Sequence, residues 1–274
     1  MPKHGDMRAP VRGRRGRRGF WTAVMWIAIA VFVAAVGYLG VIAFTYWNDA
    51  HHYEEIADKT FDPADNELAS MRVDWDGLRK INPEVVAWVY VPGTVISYPV
   101  CFSGDNQKYL DQNFDASQGV FTGSGAIFLD GEANPDFSCA CNFLFGHHMN
   151  DGSMFACLSG FADKETFEAS REVYLLTPTC NYRYRTFSLV RATGSENMVV
   201  HKFADAKEYT DYVKAAEERS MVEPSEGFPD PATAGGLLCL ATCDYNEADG
   251  RAVLYSSLVE TANPALTGKV EFGK

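Results

Sequence analysis

The 28 residues Phe20–Trp47, FWTAVMWIAIAVFVAAVGYLGVIAFTYW, contain no charged side chain. A helix of about 20 apolar residues crosses a hydrocarbon core, so this run is long enough to span a bilayer with some tilt. Trp21, Trp26, Tyr46 and Trp47 stand toward its two ends, where interfacial aromatics collect. The apolar part of a cleaved signal is shorter, about 7–15 residues, which favours an uncleaved anchor. No second run of this kind follows. The expected division is a basic tail (1–19), a transmembrane anchor (20–47), a stalk (48–70) and one extracytoplasmic domain (71–274) on a single-pass protein.

Charge is distributed unevenly about that span. Lys3, Arg8, Arg12, Arg14, Arg15, Arg17 and Arg18 stand against Asp6 alone, giving the tail +6. With −12 overall, the rest of the chain carries −18. Basic flanks stay in the cytoplasm, so the C-terminal body is expected outside the cell membrane. A body this acidic argues against a nucleic-acid partner, because phosphate contacts need clustered Lys and Arg. The cysteines at 101, 139, 141, 157, 180, 239 and 243 are odd in number, so at least one thiol lies outside any intrachain disulfide. Cys139-x-Cys141 lacks the common zinc spacing. No metal or other cofactor is expected.

Past the stalk, Trp75, Leu78 and Ile81 share a helical face that Asn82-Pro83 ends. Short β-rich segments then take over: VVAWVYV, VISYPV, GAIFLD (125–130), NFLF (142–145), EVYLLT (172–177) and YRTFSLVRAT (184–193). DNQKYLDQN (105–113) reads as a short helical turn. Asp205–Arg219 breaks the β rhythm with Tyr209, Tyr212, Val213 and Ala216 at helical spacing, behind Asp205 as N-cap. Many short strands with few small helices predict a mostly β fold, a largely antiparallel barrel or sandwich.

Leu237–Val259, LLCLATCDYNEADGRAVLYSSLV, reads as strand, polar loop, strand. Cys243 ends the first strand and Arg251 opens the second. A scaffold can present both to a cleft there. A small buried cysteine and a surface arginine is the plain alternative. His147, His148 and His201 are the histidines of the body beyond the stalk. A thiol needs a base or imidazolium beside it to react near neutral pH, and a tetrahedral intermediate needs donors at its oxyanion. Cys243, His147 and Arg251 are therefore the candidate nucleophile, acid/base and oxyanion stabiliser.

LATCDYNEADGR resembles the sortase signature Thr-Leu-x-Thr-Cys followed by an arginine on the next strand, and FLFGHHMNDGSMF resembles the sortase histidine segment. INPEVVAWVYVPGTVISYPV, DNQKYLDQNF, GAIFLD and the helix at 205–219 resemble class B segments in the right order, over about residues 71–260. The resemblance implies an eight-stranded sortase-type β-barrel with an N-terminal helix and a helix in the long loop before the cysteine strand. It implies a cysteine transpeptidase that cleaves the C-terminal sorting signal of secreted proteins through a Cys243 thioester. The product passes to an amine of a cell-wall peptide or of a pilin. His147 is then the acid/base, and Arg251 stabilises the oxyanion with help from the Asp244 backbone N–H. Asn106, Leu110, Phe145, Met198, Val199 and Asp244 fall where the family binds its peptide. Cys239 departs from the threonine of the signature, and Phe145 stands where tyrosine is common. His148 is a neighbour of the base, and no acidic cluster matches the calcium site of class A. A hydrolytic cysteine peptidase of the same geometry and an inactive anchored binding module are the alternatives.

Overall fold

The computed structural model describes residues 15–116, 124–193, 196, 198–244 and 250–264, with the backbone alone at 15–18, 46, 48–50, 243 and 244. The basic residues before Arg15 lie outside the described residues. Helix α1 (Arg15–Thr60) contains the apolar run. Its stretch Gly19–Thr45 is long and apolar enough to cross a membrane, with mean hydropathy 2.6 and no part buried against protein. The chain divides into two units between Thr45 and Tyr46.

In the second unit the last turns of α1 are part of the core. Tyr53, Ile56 and Thr60 are buried at helical spacing within an otherwise polar stretch. The Tyr53 hydroxyl donates to the Gly125 carbonyl (2.7 Å) and accepts from the Phe114 N–H (3.0 Å). A two-stranded ribbon follows, β1 (Phe61–Asp62) with β2 (Arg72–Val73). Helix α2 (Trp75–Ile81) is capped by Asp74, whose carboxylate accepts from the Gly77 N–H at 2.9 Å.

The remaining strands close a barrel. They are β3 (Val85–Tyr90), β4 (Ser97–Cys101), β5 (Ile127–Leu129) and β6 (Cys141–Phe145), then β7 (Glu172–Leu176), β8 (Asn181–Thr193), β9 (Leu237–Asp244) and β10 (Gly250–Ala262). Their order around the barrel is β10-β8-β7-β3-β4-β5-β6-β9, so all eight strands have neighbours on both sides. The β4–β5 and β6–β9 pairs are parallel and the others antiparallel. Two parallel pairs need long crossovers. The first carries α3 (Lys108–Asp111). A 3-10 turn (Ala156–Ala162) and α4 (Lys164–Ala169) lie between β6 and β7. Their short apolar runs give too few turns for periodicity to reveal. Helix α5 (Ala206–Glu218) fills the long β8–β9 connection, and Asp205 caps it by accepting from the Glu208 N–H at 2.8 Å.

The near-continuous apolar run of β9 has a direct cause. Leu238 and Leu240 pack into the barrel with Trp88, Leu144, Leu189 and Leu254. Leu237, Cys239 and Ala241 pack the other way, with Phe143, Val190, Tyr255 and Val213 of α5. A strand covered on both faces loses the apolar-polar alternation of a surface strand. Each fully buried Leu contributes about 1.5–3 kcal/mol, which anchors this strand in the barrel.

Candidate active site

Three neighbouring strands bring the candidates to one end of the barrel. In the parallel β6–β9 pair, Phe145 is level with Ala241. Both chains then run two residues on, to His147 and Cys243. The Gly146 N–H donates to the Ala241 carbonyl (3.1 Å), extending the pairing to the residue before His147. In the antiparallel β9–β10 pair, Arg251 is the partner of Cys243 and Gly250 that of Asp244. The side chains of Cys243 and Asp244 and the loop 245–249 lie outside the described residues.

The His147 ring is held from the side. Its Nε2 lies 2.6 Å from the Leu110 carbonyl oxygen. A carbonyl only accepts, so Nε2 carries a hydrogen and Nδ1 is left to take or give a proton. The His147 carbonyl accepts from the Phe155 N–H at 2.9 Å, which holds the backbone as well. Leu110 belongs to α3, and α3 is tethered to the start of β3. The Tyr109 hydroxyl donates to the Glu84 carboxylate (2.6 Å), and Lys108 Nζ lies 2.7 Å from it. These hydrogen bonds, Lys108 first and then Tyr109, hold the Glu84 carboxyl below its ordinary range. Gly125 makes the close approach possible. It sits at φ +61°, and a Cβ there would lie 2.6 Å from the Tyr109 carbonyl oxygen and 2.9 Å from the His147 ring.

Arg251 and His147 line one cleft of about 550 Å³ with Asn106, Leu110, Phe145 and Thr242. A smaller pocket of about 180 Å³ shares Phe145 and Arg251 and adds Met198, Val199 and Glu196. The residues expected to bind peptide thus fall in two adjoining pockets around Arg251, apart from Asp244. Asn106 is braced: its Nδ2 donates to Asp130 (2.9 Å), and its Oδ1 accepts from the Gly131 N–H (2.7 Å). One amide hydrogen and one lone pair remain for a ligand. His148 is elsewhere occupied, with Nδ1 3.4 Å from the Ser159 hydroxyl. His201, the third histidine, is engaged with Asp130 and the Cys141 carbonyl.

Sequence reasoning missed two features. Thr242 is buried, lines the cleft, and its hydroxyl oxygen has no partner among the described residues. Its place beside Cys243 was a usable signal. Asp130 closes GAIFLD and is 4% exposed, and its side-chain partners Asn106 and His201 are distant in sequence. Among the described residues no group of three His, Cys, Asp or Glu is arranged to hold a metal.

No protein-family model matches the chain. Among characterised proteins it is similar to sortase B of Listeria monocytogenes serovar 1/2a, 27% identical over 238 residues (81% of this chain and 93% of that one). It is similar to sortase B of Staphylococcus aureus at 22% over 244 residues (87% and 97%). Among solved structures, sortase B of Bacillus anthracis matches with a TM-score of 0.66 at 27% identity, covering 79% of this chain and 99% of that one.

Proposed function

We propose that this chain, a class B sortase in sequence and in fold, is a membrane-anchored cysteine transpeptidase that cleaves sorting signals and joins the product to an amine. Its tail (1–19) is cytoplasmic, its anchor is 20–47, and its catalytic domain lies outside the cell. Cys243 attacks the scissile carbonyl carbon as the thiolate. The oxyanion that forms is met by the Arg251 guanidinium and the Asp244 N–H. As the carbon–nitrogen bond breaks, His147 gives a proton from Nδ1 to the departing amine, leaving a Cys243 thioester. An incoming amine attacks the thioester, His147 takes its proton, and the new amide leaves as the Cys243 thiolate is restored beside the reprotonated His147. Asn106, Leu110, Phe145, Met198, Val199 and Asp244 hold the signal. The acceptor is a cell-wall peptide or a pilin lysine.

The observation that carries this reading is the pairing of Arg251 with Cys243 at the mouth of the cleft that His147 also lines. The backbones of Cys243, His147 and Arg251, from separate parts of the chain, come to one strand end. The test is a panel of Asn-Pro-x-Thr and Leu-Pro-x-Thr peptides incubated with the protein and read by mass spectrometry for the acyl-enzyme. A thioester on Cys243 and an amide product with added glycine or lysine amine are expected. Cys243→Ala and His147→Ala should each abolish turnover, and Arg251→Ala should cut it by about 10²–10³, without changing the melting temperature. Hydrolysis with no amide product would indicate a peptidase. An unreactive Cys243 thiol would indicate a binding module.

A further inference from the structure

We propose that Asp130 and His201 form an ion-paired strut that sets the distance between the two walls of the peptide cleft, and that both are positioning residues for substrate binding. This rests on the transpeptidase reading above. Neither residue lines the cleft. Their side chains are 5% and 9% exposed, and the Asp130 Oδ1 to His201 Nε2 distance is 2.9 Å. The same Oδ1 accepts from the Glu132 N–H (2.9 Å), while Oδ2 accepts from Asn106 Nδ2 (2.9 Å). On its other side, the His201 Nδ1 is 3.0 Å from the Cys141 carbonyl oxygen. Both ring nitrogens face acceptors, and only the doubly protonated ring satisfies both.

The strut joins three segments that frame the cleft. Asn106 precedes α3, which carries the Leu110 carbonyl that holds His147. His201 closely follows Met198 and Val199 of the second pocket. Cys141 begins β6, the strand that leads to Phe145 and His147. A buried ion pair is expensive in desolvation, and an apolar pair of like volume would pack as well or better. What the charged pair adds is direction. It fixes the Asn106 amide and the 198–201 segment at the same carboxylate. That orientation matters to a bound peptide and not to the bond chemistry at Cys243.

The test uses the full chain in detergent, with His201→Gln and Asp130→Asn. The KM for the sorting peptide should rise about tenfold in each, a loss of about 1.4 kcal/mol in binding. The kcat and the alkylation rate of Cys243 should stay within about twofold of the wild type, since neither variant touches the reacting atoms. The double variant should be no worse than either single one, because the two residues act as one unit. Asn106→Ala should raise KM alike, with His201→Gln adding little to it, and this pair decides the matter if Asp130→Asn does not fold. In ¹⁵N spectra of histidine-labelled protein, the signal lost in His201→Gln should be that of a doubly protonated ring. An unchanged KM, a fall in kcat alone, or a singly protonated ring overturns the strut while leaving the transpeptidase reading intact. A wild type that forms no thioester with any peptide overturns both.

Discussion

Arg251 is the ladder partner of Cys243 across β9 and β10, so the separation of their backbones is set by strand pairing and not by the loop between them. Directly opposed residues in an antiparallel pair have α-carbons about 4.5–5.5 Å apart. In the proposed mechanism the guanidinium at this position is the donor for charge developing at its neighbour.

Arg251→Lys keeps the charge at the same ladder position but removes the planar fork of donors. The expected result is a fall in kcat of at least about tenfold, and of about 10²–10³ for Arg251→Ala, as for loss of one oxyanion donor. Melting temperature should not move for either variant. Steady-state kinetics beside a thermal melt checks this, and equal kcat in wild type and Arg251→Lys would remove the oxyanion role.

Gly125→Ala should damage catalysis from outside the reacting group. The added Cβ meets the Tyr109 carbonyl and the His147 ring, and φ is +61°. The left-handed backbone alone costs about 1–2 kcal/mol. The displaced ring loses its alignment with the Leu110 carbonyl, so kcat should fall about tenfold or more, with a lower melting temperature. A variant as active as the wild type would show that the ring position is not set by this contact.

Thr242→Val separates binding from stability. The Thr242 hydroxyl is buried without a partner among the described residues, and a lone buried polar group costs about 1–3 kcal/mol. Valine matches its shape, so the fold should be as stable or more so in a urea titration. Peptide KM should rise, because Thr242 lines the cleft. A destabilised variant with unchanged KM would assign the hydroxyl to the fold.

The buried thiols predict an alkaline limit to stability. Burial pushes Cys101 up to about 12 and Cys157 up to about 11, from an ordinary value of 9.0. The fold therefore favours the neutral thiols. Their contribution is whole below about pH 9 and is lost as pH rises from there toward the folded values, at up to about 1.4 kcal/mol per unit for each group. Denaturant titrations at about pH 8 and about pH 10.5 should show the drop. At the lower pH, iodoacetamide should spare both thiols until the protein unfolds, as a protonated thiol is a poor nucleophile.

Much of the fold was legible because it rests on local patterns. The strand runs from Val85 to Thr193, the Asp205 cap and the stop at Asn82-Pro83 all lie where turn chemistry and periodicity put them. The packing of Tyr53 and Ile56 was not legible, since two buried residues in a polar stretch give no periodic signal. The brace around Asn106 was hidden too, because Asp130 and His201 are 71 residues apart.

By itself the sequence determined a chain with one span long enough for a bilayer, a body built of short strands, and the residue types of a thiol-based site. Those follow from length, charge and periodicity, which each segment carries within itself. Only the tertiary structure decided that β6 runs parallel to β9, with β10 on its far side. That order puts His147, Cys243 and Arg251 at one strand end. Barrel closure chooses such neighbours by burying both faces of β9 at once, and no segment contains that condition alone.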